Sequence, residues 1–407
     1  MWHLEESEVR ICMIVSNDMT RDSRVDRHAK ALGARGHQVT VLSRASSSRQ
    51  IRFEDRGYYK VVRYWEPLVR PSVTSKQGAT SMRVPVSRSR LGLFSKLLKM
   101  TRIAAIIIVV RLWLYVLAFR IRADVYHCND LDTLDIGAVM KIVGKKLVYD
   151  SHELYVEEVA SPWIKRFYLP LEKLLARFAD SVITVNPFIA YELQRRYGLK
   201  KNVHVVLNCP QTVGDLTSRR RSRGGSNRII VLYHGGFYPD RGLENLVRAS
   251  SHLRKGAILV LRGNGELEDR LKALAVGMRN VLFEKSVPMN AVVEAASRAD
   301  VGVIAYLPSN LNYLYCSPNK LFEYMQAGLA IAASDLPFLR KIVVGEGIGV
   351  VFDPNDPADI ARKINFVTEK STLADFRRNV RQKRNRYTWE RERMNLYSVY
   401  EKLEASI

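Results

Sequence analysis

Short apolar runs alternate with longer stretches whose apolar residues recur every three or four positions, the pattern of strands alternating with helices. Residues 10–16 (RICMIVS) read as a strand buried on both faces, because no polar alternation interrupts them. The loop NDMTRDSR follows; Val25, His28, Ala29 and Leu32 then fall at helical spacing, with Gly36 as the stop. Residues 39–43 form the next expected strand, and others are expected at 125–128, 146–150 and 181–185. Residues 209–228 (CPQTVGDLTSRRRSRGGSNR) break the rhythm with the polar, glycine- and arginine-rich composition of a linker. The alternation then restarts, with strands expected at 229–233, 257–261, 280–283, 301–305, 330–333 and 349–352. The pattern predicts an α/β protein of two domains, residues 1–208 and 229–385, each a doubly wound parallel sheet, joined by the basic linker 209–228. Residues 386–407 read as a charged C-terminal helix that packs back on the first domain.

One segment could belong to a membrane. Residues 103–119 (IAAIIIVVRLWLYVLAF) are apolar but interrupted by Arg111 and flanked by Lys96, Lys99, Arg102, Arg120 and Arg122. A spanning helix needs about 20 apolar residues without a central charge. A buried domain helix leading into the strand at 123–127 is therefore the first reading, and a helix lying in an acidic bilayer surface the second. A true span comes last. The 407 residues, 47% apolar and 26% charged, are ordinary globular composition, but 64 Lys and Arg against 41 Asp and Glu leave a net charge of +23. Such a field favours polyanions: nucleic acid, an anionic membrane face or phosphorylated substrates. Cys12, Cys128, Cys209 and Cys316 are too scattered for a zinc site or disulfide framework, which points to a reduced cytoplasmic protein. The polar, acidic start MWHLEESEVR does not read as a signal peptide.

Ligands of open parallel sheets bind beyond the carboxyl ends of strands, where amides and helix N-termini are free. Three such turns carry candidate chemistry. In the first, Gly235 and Gly236 let the backbone approach a ligand, and Arg241 stands at the mouth of a helix beginning near Leu243. The second, Gly263, Asn264, Gly265 and Glu266, has Glu268 where GxGxxG needs its third glycine, so a dinucleotide fingerprint is disfavoured. The third, SPNKLFEYMQAG, has Pro318 starting a helix, Lys320 adding charge to its N-terminal amides, Glu323 one turn on and Gly328 ending it. Asp130, Leu131 and Asp132 form a DxD, a metal motif elsewhere but a short and common one.

With these motifs the chain resembles the retaining glycosyltransferases of family 4, whose GT-B architecture has two facing Rossmann-like domains. The residues that carry the resemblance are SPNKLFEYMQAG, GGFYPDRGLENLVRA, LRGNGELE and SRADVGVIAY in the second half, and DSRVDRHAKALGARGHQVTVLS, ADVYHCNDLDTL and YDSHE in the first. The resemblance implies that Arg241 binds the phosphates of a nucleotide-diphosphate sugar and that Glu323, as second glutamate of the family's E-x7-E motif, contacts its ribose. It further implies that amides of Asn319, Lys320 and Leu321 face the diphosphate. The turn of Gly263, Asn264, Gly265 and Glu266, with Ser286 and Val287, would border the base. In the first domain it implies His127 near the reacting sugar, with Asp18, Arg24 and Asp130 facing an acceptor cleft and His152 and Glu153 as further candidates. Two positions depart from the family: Tyr315 replaces the first glutamate, and Gly236 replaces an arginine five residues before Arg241. No metal or other cofactor is implied, because the cations can neutralise the departing diphosphate.

The implied acceptor is a lipid-linked glycan of exopolysaccharide, capsule or lipopolysaccharide assembly, reached from the inner face of the membrane through residues 72–90, 96–122 and 219–223. The rivals are a nucleotide-sugar 2-epimerase of the same architecture and, in another class, a basic nucleic-acid-binding protein. The latter is disfavoured because the basic stretches lack interleaved aromatics and a recognition module.

Overall fold

The computed structural model describes residues 8–20, 22–45, 52–64, 90–158, 162–214 and 228–407. The residue 72–90 segment (save Arg90), the arginines at 219–223, most of the linker and the first seven residues lie outside them. The chain divides into two compact units. One comprises residues 1–184, 190–205 and 395–407, and the other residues 185–189 and 206–394.

The first unit is built on an eight-stranded sheet of β1 (Arg10–Ile14), β2 (Gln38–Arg44), β3 (Phe53–Asp55), β4 (Lys60–Tyr64), β5 (Val125–Asn129), β6 (Lys146–Ser151), β7 (Ser181–Thr184) and β8 (Val203–Val205). Their order is β3-β4-β2-β1-β5-β6-β7-β8, and every neighbouring pair is parallel except the edge pair β3–β4. The order runs outward from β1 in both directions, as a doubly wound sheet requires. Helix α1 (Ser23–Ala34) starts where the Asp22 carboxylate accepts from the Val25 amide at 3.0 Å, and it buries the expected Val25, His28, Ala29 and Leu32. Helices α2 (Arg90–Ile121), α3 (Leu131–Ile142) and α4 (Pro162–Phe178) complete the parts of this unit used below.

α2 corrects the first reading of its apolar run. Leu114 and Ala118 are buried, but Val109, Leu112, Trp113, Val116 and Phe119 are exposed, so the helix buries one side only. Arg111 is no interruption of a membrane span: it turns inward to an ion pair with Asp135 at 2.6 Å. Among the described residues no helix is long and apolar enough to cross a membrane.

The second unit carries a six-stranded parallel sheet of β9 (Ile229–His234), β10 (Ala257–Arg262), β11 (Val281–Glu284), β12 (Val301–Ile304), β13 (Ala330–Ser334) and β14 (Gly349–Phe352), in the order β11-β10-β9-β12-β13-β14. Apolar clusters cover both of its faces, one around Phe322, Met325 and Phe338, the other around Phe237, Leu246 and Ile360. This explains why its strands are apolar throughout. Helices α5 (Leu243–Ser250) and α6 (Asn319–Gln326) belong to this unit, and α7 (Trp389–Glu404) passes from it into the first at Asn395.

Candidate active site

In the second unit the strand order reverses between β9 and its neighbours β10 and β12, and the turn after β9 is the one that carries Gly235 to Gly242. Gly242 caps α5 with φ +65°, and a methyl group there would lie 1.9 Å from the Ala305 carbonyl oxygen, so only glycine fits. Asp240 also holds a positive φ, and its carbonyl accepts from the Leu307 amide at 2.9 Å. These contacts lock the turn against the end of β12 and fix the backbone from which Arg241 projects.

α6 brings the second cation. Tyr324, buried, fills the space that Gly302 leaves open and receives the His234 amide at 3.0 Å, which seats the helix on β9 and β12. Lys320 in the first turn is then forced inward and is buried. Its Nζ lies 3.8 Å from the Tyr233 ring centre and 5.1 Å from that of Tyr306. The Arg241 guanidinium lies over the same Tyr306 at 4.2 Å, and 5.3 Å from Tyr313. Ring faces attract cations, but not strongly enough to offset burying the Lys320 ammonium beside the half-buried charge of Arg241. Accordingly burial, and next the charge of Arg241, hold the Lys320 ammonium well below its ordinary pKa. Among the described residues no carboxylate lies within ion-pair distance of either cation, since Glu323 turns to His234. The Ser317 hydroxyl at the foot of α6 is also buried without a hydrogen-bond partner. Two cations, free helix-start amides and a hydroxyl suit a dianion with several oxygens.

The other expected donor residues are placed as follows. The Glu323 carboxylate lies 2.7 Å from His234 Nε2 and stays partly exposed, a pairing the sequence reading did not foresee. Asn319 is exposed and its side-chain oxygen accepts from Asn208 at 2.6 Å, while Leu321 is core and, against expectation, its amide donates to the Pro318 carbonyl at 3.0 Å instead of facing a ligand. Gly236 stands where its own Cβ would strike the Tyr238 ring, and its carbonyl accepts from the Tyr233 hydroxyl. The glycine-bearing turn after β10 packs backbone on backbone against the turn after β9: a methyl at Gly263 would lie 1.9 Å from the Gly235 carbonyl oxygen, and Phe237 donates to the Asn264 carbonyl at 2.9 Å. Gly263 and Gly265 therefore serve packing, a methyl at Gly265 meeting the Phe237 carbonyl oxygen at 2.5 Å, which leaves Asn264 and Glu266 to present the turn's outer edge; both are exposed, as is Ser286, with Val287 half-buried. Tyr315, at the first-glutamate position, stacks on Phe188 with ring centres 5.9 Å apart. A cavity of about 380 Å³ over β9–β11 touches Arg262 and Glu284 but neither Arg241 nor Lys320.

In the first unit the structure corrects two expectations. Arg24 does not face a cleft: it lies in the first turn of α1, 3% exposed, and grips both oxygens of Asp150 at 2.9 and 2.8 Å. His127 is fully buried in the middle of β5, with Nδ1 2.8 Å from the Tyr400 hydroxyl and Nε2 3.5 Å from Asp150. Every residue of β5 is buried, so a histidine there is enclosed by neighbouring helices whatever its chemistry. His28, His127 and Asp150 each bring one potential metal-ligand atom within 4.8 Å of the others, but Arg24 already occupies both Asp150 oxygens and its fixed charge opposes a cation.

The accessible chemistry sits one layer further out, at the strand ends. Asp130, directly after β5, holds φ +63° and ψ 167°, a strained conformation for a residue with a side chain, costing about 1–3 kcal/mol. Its carboxylate accepts from the His152 amide at 3.0 Å and lies 3.4 Å from the same residue's ring Nδ1. His152 Nε2 is 3.1 Å from the Asn129 side-chain oxygen and 3.6 Å from Asp150. Burial alone would lower the pKa of His152, but the carboxylates of Asp130 and Asp150 outweigh it and raise it to about 9. Asp18, in the loop after β1, is half-exposed and bound by the Thr20 amide and hydroxyl. Thus the polar pair reaching solvent is Asp130 with His152, not His127.

Comparisons with known proteins identify the family and the fold. The family model "Glycosyl transferase 4-like domain" matches residues 22–209, and "Glycosyl transferases group 1" matches residues 214–386. The chain therefore belongs to the group 1 glycosyltransferases and is a nucleotide-sugar-dependent transferase of GT-B architecture. EpsD of Bacillus subtilis (strain 168), named as a glycosyltransferase, is 24% identical over 273 residues, covering 61% of this chain and 68% of its own. Among solved structures, sucrose-phosphate synthase from Thermosynechococcus elongatus shares the fold with a TM-score of 0.71 at 20% identity, over 98% of this chain and all of its own. Anabaena HepE, in complex with UDP and glucose, aligns with a TM-score of 0.65 at 15% identity over 97% of this chain and all of its own.

Proposed function

We propose that this enzyme moves a sugar from a nucleoside-diphosphate sugar to a hydroxyl of a lipid-linked glycan, with retention at the anomeric carbon, as a step in exopolysaccharide, capsule or lipopolysaccharide assembly. The observation that carries the donor half is the pair of the half-buried Arg241, just before α5, and the buried Lys320 in the first turn of α6, both set against the Tyr306 ring. As the sugar–phosphate bond breaks, negative charge grows on the diphosphate while the anomeric carbon becomes cationic. Fixed cations and amides aimed at that charge lower the barrier without having to reorganise. Glu323 serves the ribose hydroxyls, oriented by His234. HepE, a structural neighbour, is in complex with UDP, which supports a nucleoside diphosphate as the ligand of this fold here too. On the acceptor side, Asp130 with His152, together with Asp18, receives the attacking hydroxyl. The excess of positive charge supports an acceptor presented at an anionic membrane face.

The test is a thermal-shift panel of nucleoside diphosphates and their sugars, because a ligand that binds only the folded state raises its melting temperature. One base should give a clear shift at concentrations where nucleoside monophosphate gives little, and the shift and the transferase activity should persist in excess chelator. A strict need for a divalent ion sinks the cation-only scheme, and an epimerised nucleotide sugar formed without acceptor replaces transfer by epimerisation.

Lys320 adds a pH signature. Its pKa is depressed in the free protein and must rise when a diphosphate lies beside it. Binding therefore takes up a proton in the window between the two values, and affinity falls as pH rises through that window. Calorimetry in buffers of differing ionisation enthalpy should show a positive proton uptake that Lys320→Met abolishes. Equal apparent enthalpies in all buffers for the wild type would count against a rise of the Lys320 pKa on binding.

A further inference from the structure

α4 inverts the usual pattern of a surface helix. Its inward side holds Ala176 and the buried Glu172, whose carboxylate accepts from the Tyr149 hydroxyl at 2.7 Å. Its outward side is apolar. Trp163, Phe167, Leu174 and Phe178 follow one another at intervals of four, seven and four residues, a single stripe along an α-helix, and the first three are 81%, 71% and 66% exposed. α2 shows a second stripe of the same kind through Val109, Leu112, Val116 and Phe119. The two helices flank α3. On one side Arg111 and the Tyr115 hydroxyl bind Asp135; on the other the Lys141 ammonium lies 5.4 Å from the Phe178 ring centre. α3 itself ends in the exposed Ile142, at 74%. Apolar area on this scale, across three neighbouring helices, marks an interaction surface.

The charges around it identify what covers it. Arg120 lies in the last turn of α2 and Arg122 just beyond it, Arg166 and Lys173 flank the α4 stripe, and Lys145, paired with Asp124 at 3.5 Å, and Lys146 follow α3. A rim of cations around aromatic and aliphatic side chains is the composition of a surface that lies in the headgroup region of an anionic bilayer, apolar groups dipping in and cations meeting phosphates. We infer that α2, α3 and α4 together form a membrane-docking surface that seats the first unit on an anionic lipid bilayer without spanning it. This deepens the lipid-linked-acceptor reading above, on which its purpose rests.

The experiment is co-sedimentation of the full chain with vesicles of pure phosphatidylglycerol and of pure phosphatidylcholine. The wild type should pellet with the former, and brominated lipid should quench a share of its tryptophan fluorescence that disappears in Trp163→Phe. The double variants Trp163→Ser/Phe167→Ser and Leu112→Ser/Phe119→Ser should each bind roughly tenfold more weakly or worse. Since these side chains are exposed, the melting temperature and its shift with nucleoside diphosphate should not move. Protein that stays in the supernatant at low salt overturns the inference, as does binding that the serine variants leave unchanged. A dimer in solution that the same variants dissociate overturns it in favour of a second copy of the chain. Each of these failures leaves donor binding, and hence the transferase reading, standing on its own measurement.

Discussion

Arg241→Ala and Lys320→Ala should each lower kcat/KM for the donor by about two to three orders of magnitude, the loss seen when one fixed donor to a developing negative charge is removed. The loss should fall mainly on kcat, because the charge they meet is greater in the transition state than in the bound sugar nucleotide. Lys320 adds an unusual companion effect. In the free protein burial and the neighbouring Arg241 both disfavour its charge, so replacing it with methionine removes a cost of folding. Lys320→Met should therefore melt at a higher temperature than the wild type while losing activity, the trade expected where function requires a locally unfavourable charge. Arg241→Lys should not restore activity, since the planar guanidinium stacked on Tyr306 is replaced by a point charge on a flexible stem. Steady-state kinetics and melting curves decide the matter: wild-type kcat and KM in both alanine variants would remove these residues from the chemistry.

Arg24→Ala should cost about 3–5 kcal/mol of stability, although Arg24 touches no substrate. The Arg24–Asp150 pair is almost wholly buried, with side chains 4% and 0% exposed, and truncation strands the carboxylate among His28, His127 and His152. Burial pushes the Asp150 pKa up, but Arg24 above all, and the histidines after it, pull it well below the ordinary carboxylate range. A depressed carboxylate contributes stability that is fully present above its unfolded pKa, about 3.9, and is lost as pH falls through the folded value. In the Arg24→Ala protein that pull is weakened, so acid relieves the defect by protonating Asp150, and the gap from wild type should narrow as pH drops. Urea denaturation at neutral pH and near pH 4 measures both. A difference below about 1 kcal/mol at neutral pH would mean that the pair contributes little net stability.

The strands of both units were legible because buried parallel strands are continuous apolar runs, and observed boundaries differ from the expected ones by a residue or two. β3, β4 and β8 were missed. Each lies at or near an edge and is short or mixed in polarity: Phe53-Glu54-Asp55 offers no run at all, although Gly57 at φ +80° between β3 and β4 is a turn signal that could have been used. Arg241 was singled out by its place after a strand and Lys320 by its place at a helix start; the structure sets both against the Tyr306 ring. His127 and Arg24 misled for a common reason: residue type and proximity to a strand end say nothing about which side of a strand or helix a side chain takes. Asp130 and His152 could be told from them only once the register between β5 and β6 was known. The pairing of Glu323 with His234 spans 89 positions and has no local signature. The stripe on α4 was readable from its spacing but looks identical to an ordinary buried face, and only exposure distinguishes the two.

Residues 395–407 have a duty apart from the second unit that precedes them. They count with the first unit, where Tyr400 lies against His127, the Tyr397 hydroxyl donates to the Ala31 carbonyl at 3.1 Å, and Glu401 and Glu404 pair with Arg35 and His37. A polypeptide emerging from the ribosome presents the start of this unit first and its final helix last, with the whole of the second unit in between. The first unit must therefore wait, its sheet lacking one packed helix, until residues 395–407 have emerged. A gene fragment cut after β8 would encode a body permanently missing that piece.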